Sequence, residues 1–366
     1  MAEPTTERPI HQPIHPDIRD RLDPEYAAYH TANNLHVIPL HLLPWDPAVR
    51  LNPPVAGGSE PLKVGDVQDL SLSKCAVRVF TPEGSAPQDG WPVYLFFHGG
   101  EPTLRGWTLG NINTENAFST NMCQRANCVV VSVDYRLAPE NPYPAAVEDA
   151  VESLKWVYEK GAAQLNVNVN KIAVGGSSSG ANLAAILTHK AALMQPPIPL
   201  VFQVLTVPVT DNTASISDDR YPSWAENQNT IGLMVGRMLW FRNYYLPNEK
   251  DRLEWDSSPI FAPEETFKKA PKAWIAVGEL DILRDEGVVY AEKLKQAGIE
   301  VELKIYKGAP HPIMAMDGAF AALVILLSVL TYRNEWVRTR RLGVLQIGRQ
   351  LVSDAALALR KAFETQ

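Results

Sequence analysis

Gly176, Ser178 and Gly180 form the pattern GxSxG within the run Ile172-Ala173-Val174-Gly175-Gly176-Ser177-Ser178-Ser179-Gly180-Ala181-Asn182-Leu183-Ala184. An apolar, β-rich stretch leads in and the helix-forming stretch Ala181 to Met194 leads out, which predicts strand, tight turn and helix with a serine at the apex. Glycines on either side remove side chains that would collide in so sharp a turn, leaving the Ser178 hydroxyl exposed above a sheet. The following helix points its positive end at the same place. Such a hydroxyl becomes a nucleophile once a base takes its proton. Without its flanks, Gly176 to Gly180 would also read as an ordinary flexible turn. The bracketing strand and helix patterns argue against that.

A serine nucleophile needs a base and an acid, and in one of the chain orders in which such triads occur both lie downstream, acid first. His311 is the one histidine beyond residue 189, in the loop Lys307-Gly308-Ala309-Pro310-His311-Pro312 that follows an expected strand. From there it can take the proton of Ser178 as general base and return it to a leaving group. A lone loop histidine is usually a solvated side chain; its place in the order singles it out. Asp281 lies just past another expected strand, with room for one helix, Glu286 to Ala297, and one strand before His311. It would hold the imidazole tautomer and stabilise the imidazolium. The competing reading makes Asp281 or Asp285 a helix N-cap. We favour Asp281 as the acid and Asp285 as the cap or a structural contact.

These residues need a scaffold of strands ending near one another. Short β-rich runs at Ala76 to Phe80, Val93 to Phe97, Val129 to Val133, Ile172 to Val174, Leu200 to Leu205, Ala273 to Val277 and Val301 to Tyr306 alternate with helical patterns, as a mostly parallel sheet flanked by helices requires. Val147, Ala150, Val151, Leu154 and Val157 follow helical spacing and should pack one face on the sheet. Two regions break the alternation: the proline-rich entry, 1–50, and the stretch 211–255, rich in aromatics and methionine. Both suit a lid or helical cap over a pocket, although Trp224, Met234, Met238, Trp240, Phe241, Tyr244 and Tyr245 are equally readable one by one as core. The division is then an N-terminal cap segment 1–50 and one large domain 51–366.

Composition narrows the class. The 366 residues are 46% hydrophobic, ample for a large core. A net charge of −7 offers no basic surface for nucleic acid. Cys75, Cys123 and Cys128 form no CxxC or Cys/His cluster and read as reduced and structural. The polar stretch Met1 to Pro9 has no apolar core of a secretory signal, which points to the cytoplasm. His11, His15, His30, His36 and His41 have no metal-ligand spacing and are expected at the surface. No GxxxxGK motif is present, and no metal or cofactor is expected.

The run Asp134-Tyr135-Arg136-Leu137-Ala138-Pro139-Glu140, followed by Pro144-Ala145-Ala146 and Asp149, the His98-Gly99-Gly100 motif, the GxSxG turn with Asn182-Leu183-Ala184, and the Asp281/His311 pair together resemble the hormone-sensitive-lipase-like esterases of the α/β hydrolase superfamily. The resemblance covers roughly residues 60 to 318 and the last helix. It implies an α/β hydrolase fold, a triad of Ser178, Asp281 and His311, a cap formed by the N-terminal segment and 211–255, short- to medium-chain or aryl esters as substrates, and no cofactor. It further implies oxyanion-hole donors at Gly99, Gly100 and Ser179, with Gly106 as a further candidate and His98 orienting the loop rather than binding metal.

Three departures stand out. The family usually continues HGGG into an aromatic residue, whereas here Glu101 to Arg105 split HGG from Gly106-Trp107, and Pro102 has no N–H to offer. Deleting Glu101 to Arg105 is expected to restore HGGGW and raise activity. Ser177 stands where the family often carries an acid. Finally, Ala319 to Gly343 intervene before a closing helix, Val344 to Phe363. Their apolar run falls short of the ~20 residues that span a bilayer, leaving surface contact with a membrane through 319–342, a partner-binding plug or mis-spliced sequence as alternatives. The leading function is a serine carboxylester hydrolase acting on a small-molecule ester, including an acylated or lactone metabolite. The alternatives are a non-hydrolytic enzyme of the same fold and a catalytically impaired ligand-binding relative, the latter losing its main support because His311 is present.

Overall fold

A computed structural model describes residues 8–51, 58–99, 106–311, 313, 316–318 and 345–365. Among them, eight strands form one sheet: β1 Asp66–Ser71, β2 Ala76–Thr81, β3 Trp91–Phe97, β4 Val129–Asp134, β5 Val167–Ser177, β6 Phe202–Thr206, β7 Lys272–Gly278 and β8 Val301–Tyr306. Their spatial order is β1-β2-β4-β3-β5-β6-β7-β8. The pairs β1/β2 and β2/β4 are antiparallel and every later pair is parallel. All seven expected strands are present within a few residues. The additional strand, β1, is a largely exposed edge whose sequence DVQDLS offers no apolar alternation.

The central strands read as continuous apolar runs because both faces are covered. Val93, Leu95 and Phe97 of β3 point to one side, where they join helices Ala145–Leu165 and Ser179–Leu193. Tyr94 and Phe96 point to the other, against helices Asn116–Ala126 and Gln346–Glu364. The described helices of eight or more residues, in chain order, are α1 Pro24–Asn33, α2 Asn116–Ala126, α3 Ala145–Leu165, α4 Ser179–Leu193, α5 Val235–Tyr245, α6 Arg284–Gln296 and α7 Gln346–Glu364.

The two stretches outside the alternation pack on one another and on the loop that carries His311. The turn Leu40–Leu42 lies on α5, and the Trp45 ring sits 5.8 Å from that of Trp240 and 5.6 Å from that of Tyr244. Just before α1, the Asp23 N–H donates to Gly308 O at 2.9 Å. Trp224, Met238, Phe241 and Tyr245 are buried, while Met234, Trp240 and Tyr244 are half-buried, so the core reading holds for four of these seven aromatic and methionine side chains. One expectation fails outright. His30 is buried rather than superficial, its Nε2 paired with Gln12 O at 2.7 Å, because α1 folds its inner face onto the body of the protein. Among the described residues, no helix is long and apolar enough to cross a membrane. The 319–343 stretch and Glu101 to Arg105 lie outside the described residues.

Candidate active site

Ser178 ends the turn between β5 and α4 with φ 51° and ψ −114°, a conformation L-residues rarely adopt and one held here by its surroundings. The Ser178 N–H donates to Thr206 O at 2.8 Å, tying the turn to the end of β6. Gly180 must lack a side chain because its α-carbon lies against the backbone of Phe97 and His98, and Gly176 because it faces Gly180. The sharp turn, the next helix and the end of β3 thereby share one small volume.

Three strand ends then deliver three side chains. Ser178 follows β5, Asp281 follows β7 and His311 follows β8. His311 Nε2 lies 2.9 Å from Ser178 Oγ, and His311 Nδ1 lies 2.6 Å from Asp281 Oδ2. Asp281 is fully buried, His311 is 4% exposed and Ser178 is 7% exposed. The second oxygen of Asp281 accepts the Leu283 N–H at 3.0 Å, which fixes the carboxylate plane. The N-cap position of α6 is Leu283 and no side chain caps it, so the N-cap reading of Asp281 or Asp285 does not hold; Asp281 braces the turn before the helix while facing the imidazole. Asp285 points elsewhere, accepting the Ser223 N–H at 2.6 Å and pairing with Arg284 at 2.7 Å.

The shell behind the triad comes largely from residues without a motif. Asn227, fully buried, donates from Nδ2 to the carbonyls of Glu279 and Asp281, both at 3.0 Å. Thr230 Oγ1 donates to Leu280 O at 2.5 Å. Glu286 accepts the N–H groups of Thr210 and Asp211 at 2.9 and 2.7 Å, and burial pushes its carboxyl well above the usual carboxylate range. No sequence pattern marks Asn227 or Thr230, because their role depends on bringing 211–255 onto the turn after β7.

The DYRLAPE run braces the other side. Burial raises the Tyr135 phenol, which stays neutral and donates to His98 O at 2.8 Å while lying 3.3 Å from Ser179 Oγ. The His98 ring stacks on Tyr135 with centroids 4.5 Å apart. Arg136 forks onto the fully buried Asp149, with Nε and Nη2 at 2.9 and 2.8 Å from Oδ1, and so anchors the run to α3.

Of the expected oxyanion donors, Ser179 opens α4, where first-turn N–H groups have no partner within the helix. Gly99 differs from expectation: its N–H donates to Glu115 Oε2 at 3.2 Å, and its α-carbon abuts Ser177, so it acts as a contact point. Gly106 packs against the Phe241 ring and its carbonyl accepts the Leu109 N–H at 3.0 Å. Gly100 lies outside the described residues.

Two other features are chemically quiet. Cys75, Asp149 and Glu152 converge within 4.8 Å, but Asp149 is held by Arg136, Glu152 accepts the Ser73 and Lys74 N–H groups, and burial pushes the Cys75 thiol up to about 12. A groove of about 1430 Å³ between the β1 edge, α3 and the end of α4 is lined by none of the triad residues.

A family model described as alpha/beta hydrolase fold matches residues 94–315. An AB hydrolase superfamily protein of Schizosaccharomyces pombe is 43% identical over 375 aligned positions, covering 99% of this chain and 100% of the relative. A carboxylesterase of Mycobacterium tuberculosis is 34% identical, covering 83% of this chain and 88% of its own length. Among solved structures, an esterase of Pyrobaculum calidifontis is 30% identical with a TM-score of 0.68, covering 82% of this chain and 86% of that one. A thermostable esterase of Pseudomonas putida is 27% identical with a TM-score of 0.74, covering 93% and 98%.

Proposed function

The chain belongs to the hormone-sensitive-lipase-like carboxylesterase family of the α/β hydrolases, and from that premise we propose that it hydrolyses short- to medium-chain or aryl esters through Ser178, His311 and Asp281. The observation that carries the reading is the imidazole of His311 spanning Ser178 Oγ and Asp281 Oδ2 in hydrogen-bond contact with both. Ser178 Oγ attacks the ester carbonyl carbon as its proton passes to Nε2. Asp281 accepts the Nδ1–H throughout, fixing the tautomer that leaves Nε2 free to act as base and favouring the imidazolium.

The tetrahedral oxyanion is received by the Ser179 N–H at the positive end of α4, with Gly100 as second donor in place of Gly99. His311 then protonates the departing alcohol, leaving an acyl group on Ser178. A water deprotonated by the same nitrogen releases the acid. No step calls for a cofactor. The stretches 1–50 and 211–255 serve as the cap over this site.

The test is hydrolysis of p-nitrophenyl acetate and butyrate by the purified chain with Ser178→Ala beside it. Turnover that disappears in the variant supports the reading, and equal turnover in both proteins overturns it.

A further inference from the structure

Glu115 is an unexpected neighbour of the catalytic turn. It is 5% exposed, stands at φ 61° immediately before α2, and sends its two carboxylate oxygens to two different elements. Oε2 accepts the Gly99 N–H at 3.2 Å, and Oε1 accepts the Ser177 hydroxyl at 2.7 Å. Ser177 directly precedes the nucleophile, and Gly99 belongs to the HGG turn at the end of β3. A left-handed glutamate and a buried carboxylate are both costly, and this one is satisfied at the seam between the two segments that bound the oxyanion pocket.

We propose that Glu115 is a positioning residue of the oxyanion hole. The reading rests on the serine-esterase function above. The absence of a side chain on Gly99 lets the HGG turn touch the backbone of Ser177, which sets their separation, and the bridging carboxylate sets their relative rotation. By holding the Gly99 N–H and the Ser177 hydroxyl together, Glu115 fixes the end of β3 against the turn that presents the Ser179 N–H to the oxyanion. The second brace, Tyr135, ties the same two segments through His98 O and Ser179 Oγ. The pocket is thus clamped by one carboxyl acceptor and one phenol donor.

A carboxylate accepts from both partners at once, whereas the carboxamide of Glu115→Gln has one acceptor oxygen, so to keep both contacts the Ser177 hydroxyl must reverse and accept from the NH₂, and its own proton loses the carboxylate. Loss of a whole oxyanion donor costs on the order of 10² to 10³ in rate, so a donor displaced rather than removed should cost about 10- to 100-fold.

The experiment compares wild type, Glu115→Gln, Ser177→Ala and the double variant on p-nitrophenyl butyrate, together with the affinity of a trifluoromethyl ketone that forms a tetrahedral adduct on Ser178. Folded Glu115→Gln is expected to lose about 10- to 100-fold in kcat with KM within about threefold, and to bind the ketone weaker by the factor lost in kcat/KM. The double variant is expected to be no worse than Glu115→Gln, because both substitutions open the same clamp. A kcat within twofold of wild type, an unchanged ketone affinity, or losses that multiply in the double variant would overturn the proposal. If Glu115→Gln does not fold, Ser177→Ala decides by the same ketone measurement: weaker binding supports the clamp and unchanged binding overturns it. Wild-type turnover that survives Ser178→Ala overturns instead the reading on which the proposal rests.

Discussion

Gly232 lies against the backbone carbonyl of His311, so close that a methyl group on its α-carbon would stand 2.6 Å from that oxygen. The stretch 211–255 therefore touches the residue that presents the imidazole, and it does so at a glycine with φ +84°, where a side chain would also be strained.

Gly232→Ala should consequently impair the base without altering any triad side chain. Backbone strain of about 1 to 3 kcal/mol and a displaced His311 loop are expected, with kcat falling about 10-fold or more. Steady-state kinetics on p-nitrophenyl butyrate check this. A kcat equal to wild type would show that the loop yields freely.

The triad itself gives a graded series. Ser178→Ala and His311→Ala should each remove turnover by about 10⁶-fold, to the limit of detection. Asp281→Asn should retain more, with a loss of about 10⁴, because its amide can donate to the imidazole and favour the wrong tautomer. Equal losses for Asp281→Asn and His311→Ala would contradict the orienting role of the carboxylate.

Asn227→Ala removes a hydrogen bond from each of the Glu279 and Asp281 carbonyls, which keep only their longer bonds from Arg284. A stability loss of about 1 to 3 kcal/mol is expected from urea unfolding. Because the same carbonyls fix the turn after β7, kcat should also drop in the fraction that remains folded.

Asp149→Asn removes the buried half of an ion pair whose Arg136 side chain is 30% exposed and keeps bonds to Glu148 and Ala145 O, and it loosens the run that carries Tyr135. Losing these charge-assisted bonds is expected to cost about 1.5 to 3 kcal/mol, measurable as a lowered urea midpoint. A midpoint within error of wild type would mean that Arg136 finds an equivalent partner.

His189 supplies a pH-dependent term. Its ring is buried between Thr266 Oγ1 at 2.8 Å and Tyr290 OH at 3.0 Å, and burial, helped by Lys293, lowers its pKa from 6.5 to about 3. Below pH 6.5 the unfolded chain takes up a proton that the native ring refuses. The stabilisation is thus complete above that pH and is lost as pH falls toward 3, at up to about 1.4 kcal/mol per pH unit. His189→Gln should flatten the acid limb of stability between pH 4 and 6 by up to one proton. An unchanged slope in urea titrations would exclude the effect.

The contact of Ser178, His311 and Asp281 was legible because the chemistry expected of it demands rare residue types in a fixed order at strand ends, and the parallel strands because burial on both faces leaves unbroken Val, Ile and Phe. β1 escaped notice since an exposed edge strand needs no apolar alternation. Glu115 escaped because a glutamate between Thr114 and Asn116 carries no pattern; only the fold turns it under Gly99 and Ser177. His30 was misplaced on the surface for a related reason, the polarity of a segment being a poor guide once it folds over the body. The Gly99 assignment followed the resemblance, which carries no information on the Glu115 carboxylate that the Gly99 N–H meets in the fold.

The placement of the three strand ends in the sheet is unequal. β5, which leads to Ser178, is interior, whereas β8, which leads to His311, is the outermost strand and exposes half of Ile305. Edge elements open at lower free energy than the centre of a sheet. Warming should therefore free His311 before it disturbs Ser178, so that inactivation begins as an event of the margin while most of the molecule still keeps its shape.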